Sequence, residues 1–246
     1  MFYIYIINMA MIFSVEGNIG SGKSTLIKHL KKEIHNICGL RVIYLEEPVD
    51  IWETIKDKEG NNIIKRYYDN QKEFAFQFQM MAYITRITQL RKAIQLHKDC
   101  IIITERSILT DKNVFAKMLH DNDILDEISH QIYLKWFDEL SMDLEIVSCI
   151  YIKTNPETSL KRVLKRNRPG ETLSLDYLKI CHKNHEEWLQ NSENVLLLNG
   201  EREYEKNIPS EWLARIKVYL QNMVEPLAQL DKIYDLFHQK EWTLGC

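Results

Sequence analysis

Glycine and proline are scarce in this chain, 8 and 5 of 246 residues, which excludes collagen-like, flexible-linker and proline-rich disordered architectures. Cysteine offers little either. The five cysteines (Cys38, Cys100, Cys149, Cys181 and Cys246) are odd in number and widely spaced, with no C-x-x-C pair, so neither a disulfide framework nor a zinc site is indicated. Cys100 and Cys149 lie in or beside apolar runs and read as small core residues. An excess of positive charge is also missing. With a net charge of -3 and a pI of about 6.3, no global basic field draws the chain onto nucleic acid or anionic lipid, and a small-molecule partner is expected. No window has the length of a membrane span. The apolar Met1 to Met11 lacks a basic n-region and a small-residue cleavage site, and reads as an N-terminal extension leading into a strand. Repeats, low-complexity tracts and linkers are absent, so residues 1–246 read as one domain.

The few glycines are not evenly spread. Gly17, Gly20 and Gly22 fall within Glu16 to Thr25, E-G-N-I-G-S-G-K-S-T. This contains the G-x-x-x-x-G-K-S pattern, in which backbone N–H groups cradle phosphates, the lysine neutralises them and the hydroxyl meets Mg²⁺. An apolar run before it, Ile12 to Val15, reads as a buried strand. Leu26 to Ile34 after it reads as an amphipathic helix whose N-terminus faces the anion.

Near-continuous apolar runs recur with helical patterns between them: Ile12 to Glu16, Arg41 to Leu45, Cys100 to Thr104, Ile146 to Lys153 and Val195 to Leu198. Runs of this kind predict an α/β fold with a five-stranded parallel sheet flanked by helices. Ligands of such sheets bind beyond the carboxyl ends of the strands. Those positions are polar here.

Glu46, Glu47, Pro48 and Trp52 follow the second run, and proline fixes the Glu47 carboxylate at the sheet rim unless the pair is a solvated turn. Glu105, Arg106 and Ser107 follow the third, then Asp111 and Lys112. Beside a phosphate site an acid and an arginine suit Mg²⁺ and phosphate oxygens, the alternative being a surface pair.

A long helix is predicted from Asn70 to His97, with Phe74, Phe78, Met81, Thr85 and Thr88 on one stripe and Gln79, Ala82 and Arg86 on a second. The second stripe either lines a pocket that reads a base edge or is an exposed polar face. Lys112 to Leu140 predicts another helical region. Its apolar surface packs on the sheet or forms a dimer face. Between Lys161 and Arg168 lie five positive charges, Lys161, Arg162, Lys165, Arg166 and Arg168, which read as a lid over transferring phosphate or as a solvated basic face. Pro169 and Gly170 are expected to end that helix. A helix from Ser210 to Asn222 follows the last strand, and residues 224–246 read as a helical tail.

Taken together, the phosphate loop, Glu-Pro-Val-x-x-Trp, Glu-Arg-Ser and Arg-x-x-x-Arg-x-Arg resemble the deoxynucleoside kinases of the deoxycytidine/deoxyguanosine kinase group, from about Ile12 to about Leu220. The resemblance implies a P-loop kinase fold with a basic lid over residues 161–171. It implies transfer of phosphate from ATP-Mg²⁺, or from UTP, to the 5′-hydroxyl of a deoxynucleoside in salvage, by an intracellular, cytoplasmic homodimer. By the same resemblance Glu47 is the general base, and Arg106 and Lys23 hold phosphate charge. Gly17, Asn18, Gly20, Ser21, Gly22, Lys23, Ser24 and Thr25 receive the donor. Arg162, Arg166 and Arg168 are the lid arginines, and Glu203 and Tyr204 belong to the donor-base loop. Ser24 and Glu105 organise Mg²⁺, partly through water. Tyr68 and Glu171 bind the sugar 3′-hydroxyl, Trp52 and Phe78 contact the base, and Gln79 makes a bidentate bond to its edge. Ala82, Arg86 and Asp111 match the deoxycytidine and purine kinases, so those nucleosides are expected over thymidine. A thymidylate-kinase-type monophosphate kinase and a non-enzymatic nucleotide switch are the competing readings.

Overall fold

A computed structural model describes residues 10–168, 170–190, 192, 194–202 and 208–243, and in the last helix the side chains of 210–227 and 229. Five strands that are apolar on both faces build the parallel part of its sheet. They are β1 (Met11–Glu16), β3 (Leu40–Leu45), β4 (Cys100–Glu105), β5 (Ile146–Lys153) and β6 (Val195–Asn199). A further two-residue strand, β2 (Asn36–Ile37), makes six, in the order β2-β3-β4-β1-β5-β6. The sheet is therefore mixed and six-stranded, not five-stranded and parallel. β2 pairs antiparallel with β3 through Asn36↔Arg41 and Ile37↔Leu40. The two residues between them, Cys38 (φ 50) and Gly39 (φ 84), both have positive φ, as a tight two-residue hairpin requires. Two residues are too few for any periodic signal.

β1 is central, paired parallel with β4 on one side and β5 on the other. Its alternation sends Phe13 and Val15 into a core with Leu26, Ile27 and Leu30 of α1 (Lys23–Glu33). Ile12 faces the opposite side, against Leu90 and Ala93 of α4 (Gln71–Leu96). This is a helix–sheet–helix layering around a wholly buried β4. Short helices α2 (Val49–Thr54) and α3 (Ile63–Asp69) precede α4, and Asn70 caps α4 by accepting from Glu73 N.

The helical region expected over Lys112 to Leu140 is divided. α5 (Ile108–Thr110), a π-helical turn (Asp111–Ala116) and α6 (Lys117–Asp121) run together, then Asp126 caps α7 (Glu127–Ser141). α8 (Pro156–Arg166) ends at Asn167 in the left-handed conformation (φ 47). The expected stop at Pro169 and Gly170 thus comes too late, because asparagine tolerates that conformation without a glycine. After α9 (Leu175–Leu189) and β6, the last helix α10 (Ser210–Thr243) continues through Pro226. Its Trp212, Ile216, Leu220 and Val224 form one buried stripe. Ala10 is buried and Met11 opens β1, while residues 1–9 of the expected extension lie outside the described residues. Among the described residues no helix is long and apolar enough to cross a membrane.

Candidate active site

The carboxyl ends of β1, β3 and β4 open onto one cavity of about 700 Å³. At one end of it the Gly17 to Thr25 loop turns on residues that only glycine fits. At Gly20 φ is +81, and a Cβ would lie 2.5 Å from Ser159 O of α8, so the loop is packed directly on the helix that carries the expected lid arginines. Gly20, Gly22, Lys23, Ser24 and Thr25 line the cavity. Gly17, Asn18 and Ser21 stand behind it. There the Gly17 carbonyl accepts from Arg106 Nη1 (2.9 Å), Asn18 Nδ2 donates to Leu178 O (2.8 Å) and Ser21 is fully buried.

Lys23 Nζ donates to Asn18 O (2.7 Å). Burial, then the Arg106 charge, lowers its pKa to about 7. Ser24 Oγ donates to Glu105 Oε1 at 2.6 Å. These two oxygens suit a hard cation such as Mg²⁺, which takes one or two protein ligands and completes its shell with water and phosphate oxygens. Beneath them the buried Glu16 carboxylate accepts from Ser107 N (2.9 Å) and Thr110 Oγ1, which fixes the turn after β4. Arg106 in that turn has φ 62, a conformation unusual for a non-glycine residue and typical of constrained functional positions.

Glu47, just past β3, lies between two cations, 2.5 Å from Arg86 Nη2 and 3.6 Å from Arg106 Nε. Burial opposes its ionisation, but Arg86 and Arg106 outweigh burial and hold its carboxyl well below the usual range. Arg86 also reaches the Glu105 carbonyl (3.1 Å) and sits 3.2 Å from Asp111 Oδ2 through Nε. That last contact is an ion pair without hydrogen-bond alignment, since both atoms lack a hydrogen-bond partner. Asp111 is shifted the other way. Burial outweighs Arg86 and Arg106 and raises it to about 6.

The other end is walled by α3 and α4. Gln79, Ala82 and Arg86 are all buried and line the cavity, so this stripe is not an exposed polar face. Among the described residues Gln79 Oε1 has no hydrogen-bond partner. Trp52 is anchored by Nε1 to Thr85 Oγ1 (2.9 Å) and meets Phe78 edge-on, with centroids 5.6 Å apart. Burial and then the Glu171 carboxylate push the Tyr68 phenol up, so these two residues, far apart in sequence, share one corner. Glu171 also accepts from Arg166 Nη2 (2.5 Å). Arg162, Arg166 and Arg168 line the same cavity, Arg162 donating to the carbonyl of Arg202 (3.2 Å). Glu203 and Tyr204 lie outside the described residues.

Sequence reasoning missed Tyr67, Phe115 and Tyr177, which also line the cavity. Tyr67 stacks on Phe78 (4.5 Å, 15°) and its hydroxyl is 3.2 Å from that of Tyr177. Phe115 carries the Arg106 guanidinium over its ring at 5.0 Å. Phe115 lies in the π-helical turn Asp111–Ala116. Tyr67 and Tyr177 belong to no motif.

Known proteins resemble the chain over most of its length. The family model described as deoxynucleoside kinase matches residues 13–231. A probable deoxycytidine kinase of Fowlpox virus is 36% identical over 222 residues, covering 85% of this chain and 88% of the relative. Human deoxycytidine kinase is 32% identical, covering 72% of this chain and 74% of the relative. The mitochondrial deoxyguanosine kinase of Xenopus laevis is 30% identical, with 79% and 83% covered.

Proposed function

The chain belongs to the deoxynucleoside kinase family and is a phosphotransferase, and from that premise we propose that it phosphorylates the 5′-hydroxyl of deoxycytidine or a purine deoxynucleoside in preference to thymidine, with ATP as donor. One observation supports a base in this cavity: among the described residues Gln79 Oε1 is buried without a hydrogen-bond partner, and it opens on the same cavity as Arg86 and Asp111, the pair that favours deoxycytidine or a purine over thymidine. A base edge that both donates and accepts satisfies this set, and an unfilled polar atom there costs ~1–3 kcal/mol.

Phosphoryl transfer asks for in-line placement and neutralisation of spreading charge more than for a strong base. Lys23, Arg106 and the arginines of α8 supply the cations. Glu47, kept ionised by Arg86 and Arg106, accepts the hydrogen bond of the attacking hydroxyl and takes its proton late. Ser24 and Glu105 are the residues that would hold Mg²⁺, which when bound neutralises and orients the donor phosphates. Tyr68 and Glu171 receive the sugar 3′-hydroxyl, Trp52 and Phe78 enclose the base, and the Arg202 to Tyr204 loop receives the donor base. UTP is the second donor candidate.

The enzyme acts as a homodimer in intracellular nucleoside salvage. Support for the dimer comes from apolar side chains left exposed on the adjoining helices α4 and α7, namely Ile84, Ile128, Ile132 and Trp136. Light scattering should give twice the chain mass, and Trp136→Glu should give one; a monomeric parent protein removes the dimer.

The activity test is a panel of deoxynucleosides, ribonucleosides and deoxynucleoside monophosphates with ATP-Mg²⁺. Product from deoxycytidine or a purine deoxynucleoside is expected. Product from monophosphates alone would identify a monophosphate kinase, and nucleotide binding with no acceptor turned over would identify a switch.

A further inference from the structure

The two ends of the cavity come from distant parts of the chain, and the first turn of α9 touches both. Leu178 O accepts from Asn18 Nδ2 of the phosphate loop at 2.8 Å. Next to it, the Tyr177 hydroxyl pairs with the Tyr67 hydroxyl of α3 at 3.2 Å. Each connection continues into the site. The Asn18 carbonyl accepts from Lys23 Nζ (2.7 Å) and its Oδ1 accepts from Ile19 N (2.8 Å). The Tyr67 ring lies flat on Phe78, with centroids 4.5 Å apart. Asn18 and Leu178 are 2% and 0% exposed, so no solvent competes for the bond between them, while the Tyr67–Tyr177 pair is partly buried at the cavity wall.

The Asn18 side chain is used in a way the loop pattern did not suggest. Phosphate is cradled by backbone N–H groups, and this amide points away from the cavity, onto a helix more than a hundred residues later in sequence. Similarly, the Tyr177 hydroxyl ends on another tyrosine of the acceptor wall and on neither a carboxylate nor an arginine. A strap of this kind fixes distance and angle between two half-sites without adding affinity to either.

We propose that the Tyr177–Leu178 turn registers the phosphate loop against the acceptor wall, making Asn18, Tyr177 and Tyr67 positioning residues for in-line transfer. The proposal rests on the reading of the cavity as a donor–acceptor site. Small displacements between reacting groups lower the rate far more than they lower binding of either partner. The strap therefore governs kcat.

The experiment uses the full chain and the variants Tyr177→Phe, Tyr67→Phe, their double, and Asn18→Asp, which turns a carboxylate oxygen onto Leu178 O. Measured are kcat and KM for deoxycytidine and ATP, the Kd of each ligand alone by calorimetry, and Tm. In each single tyrosine variant kcat should fall about tenfold, with Kd for either ligand alone changed less than about threefold. The double should be no slower than the singles, because both remove one shared bond. Asn18→Asp should lower kcat further with deoxycytidine binding retained, its added charge in the phosphate loop weakening ATP binding alone. Unchanged kcat in Tyr177→Phe overturns the strap, as does additive loss in the double, or a kcat loss matched by equal loss of Kd or by a fall in Tm. Should Asn18→Asp not fold, the tyrosine cycle decides. A parent protein that phosphorylates no deoxynucleoside instead removes the donor–acceptor reading, a result separate from any behaviour of the variants.

Discussion

Glu47→Gln isolates charge from shape at the point where donor and acceptor meet. The amide keeps the volume and one acceptor oxygen, so the acceptor hydroxyl can still be hydrogen-bonded. It cannot take a proton. General-base assistance accounts for roughly 100- to 10,000-fold in rate, and a loose phosphoryl-transfer transition state, where the proton leaves late, places this enzyme near the lower end. The substitution also leaves two cations facing a neutral group, 2.5 and 3.6 Å away. Arg86 still has Asp111 at 3.2 Å, and Arg106 still donates to the Gly17 carbonyl. Stability should therefore fall by less than the ~3–5 kcal/mol typical of stranding a buried charge. Steady-state kinetics on deoxycytidine and calorimetry of deoxycytidine binding are the assays. Expected is a fall in kcat of about 100-fold with Kd within about fivefold. A kcat within about threefold of the parent refutes Glu47 as the base, and a loss carried by Kd alone makes it a binding residue.

Arg86→Met combined with Asp111→Ala should raise the thymidine-to-deoxycytidine ratio of kcat/KM by about tenfold or more, since it removes a charged pair that a thymine methyl would leave partly unsatisfied; no change means that the base lies elsewhere. Arg86→Met alone should lower Tm more than Arg86→Met with Asp111→Ala does, because it strands Asp111 as well as Glu47. Asp111 has a folded pKa raised from 3.8 to about 6, so the folded state binds the proton more tightly than the unfolded one. Its contribution is favourable below the unfolded value and is lost as pH rises through about 6. Asp111→Asn should accordingly raise stability above about pH 6 by up to ~3 kcal/mol while lowering activity, and flatten the pH dependence of Tm; an unchanged pH profile removes the shift. Gly20→Ala should abolish productive donor binding, because its Cβ would lie 2.5 Å from Ser159 O at a φ of +81; a retained KM for ATP would show that α8 yields.

What the sequence determined by itself was whatever is written in short range. The phosphate loop is contiguous, and its geometry follows from glycines and a lysine at fixed spacing. The five parallel strands were legible because burial on both faces leaves near-continuous apolar runs, and the Gln79, Ala82 and Arg86 stripe because a long helix repeats its faces. Short or interrupted elements left no such trace, as with the hairpin strand at Asn36–Ile37, the π turn at Asp111 and the break before Asp126. Residue types at strand ends suggested chemistry, but that the Glu47 carboxylate lies between Arg86 and Arg106 on the cavity was visible only in the folded chain. Tertiary structure alone decided that Arg86 bridges Glu47 and Asp111, pushing one carboxyl down while burial raises the other. It alone brought Tyr68 to Glu171 and Asn18 to Leu178. The physical reason is common to all of these. Charge coupling and desolvation depend on distances between segments far apart in sequence, and only the packed sheet and helices set those distances.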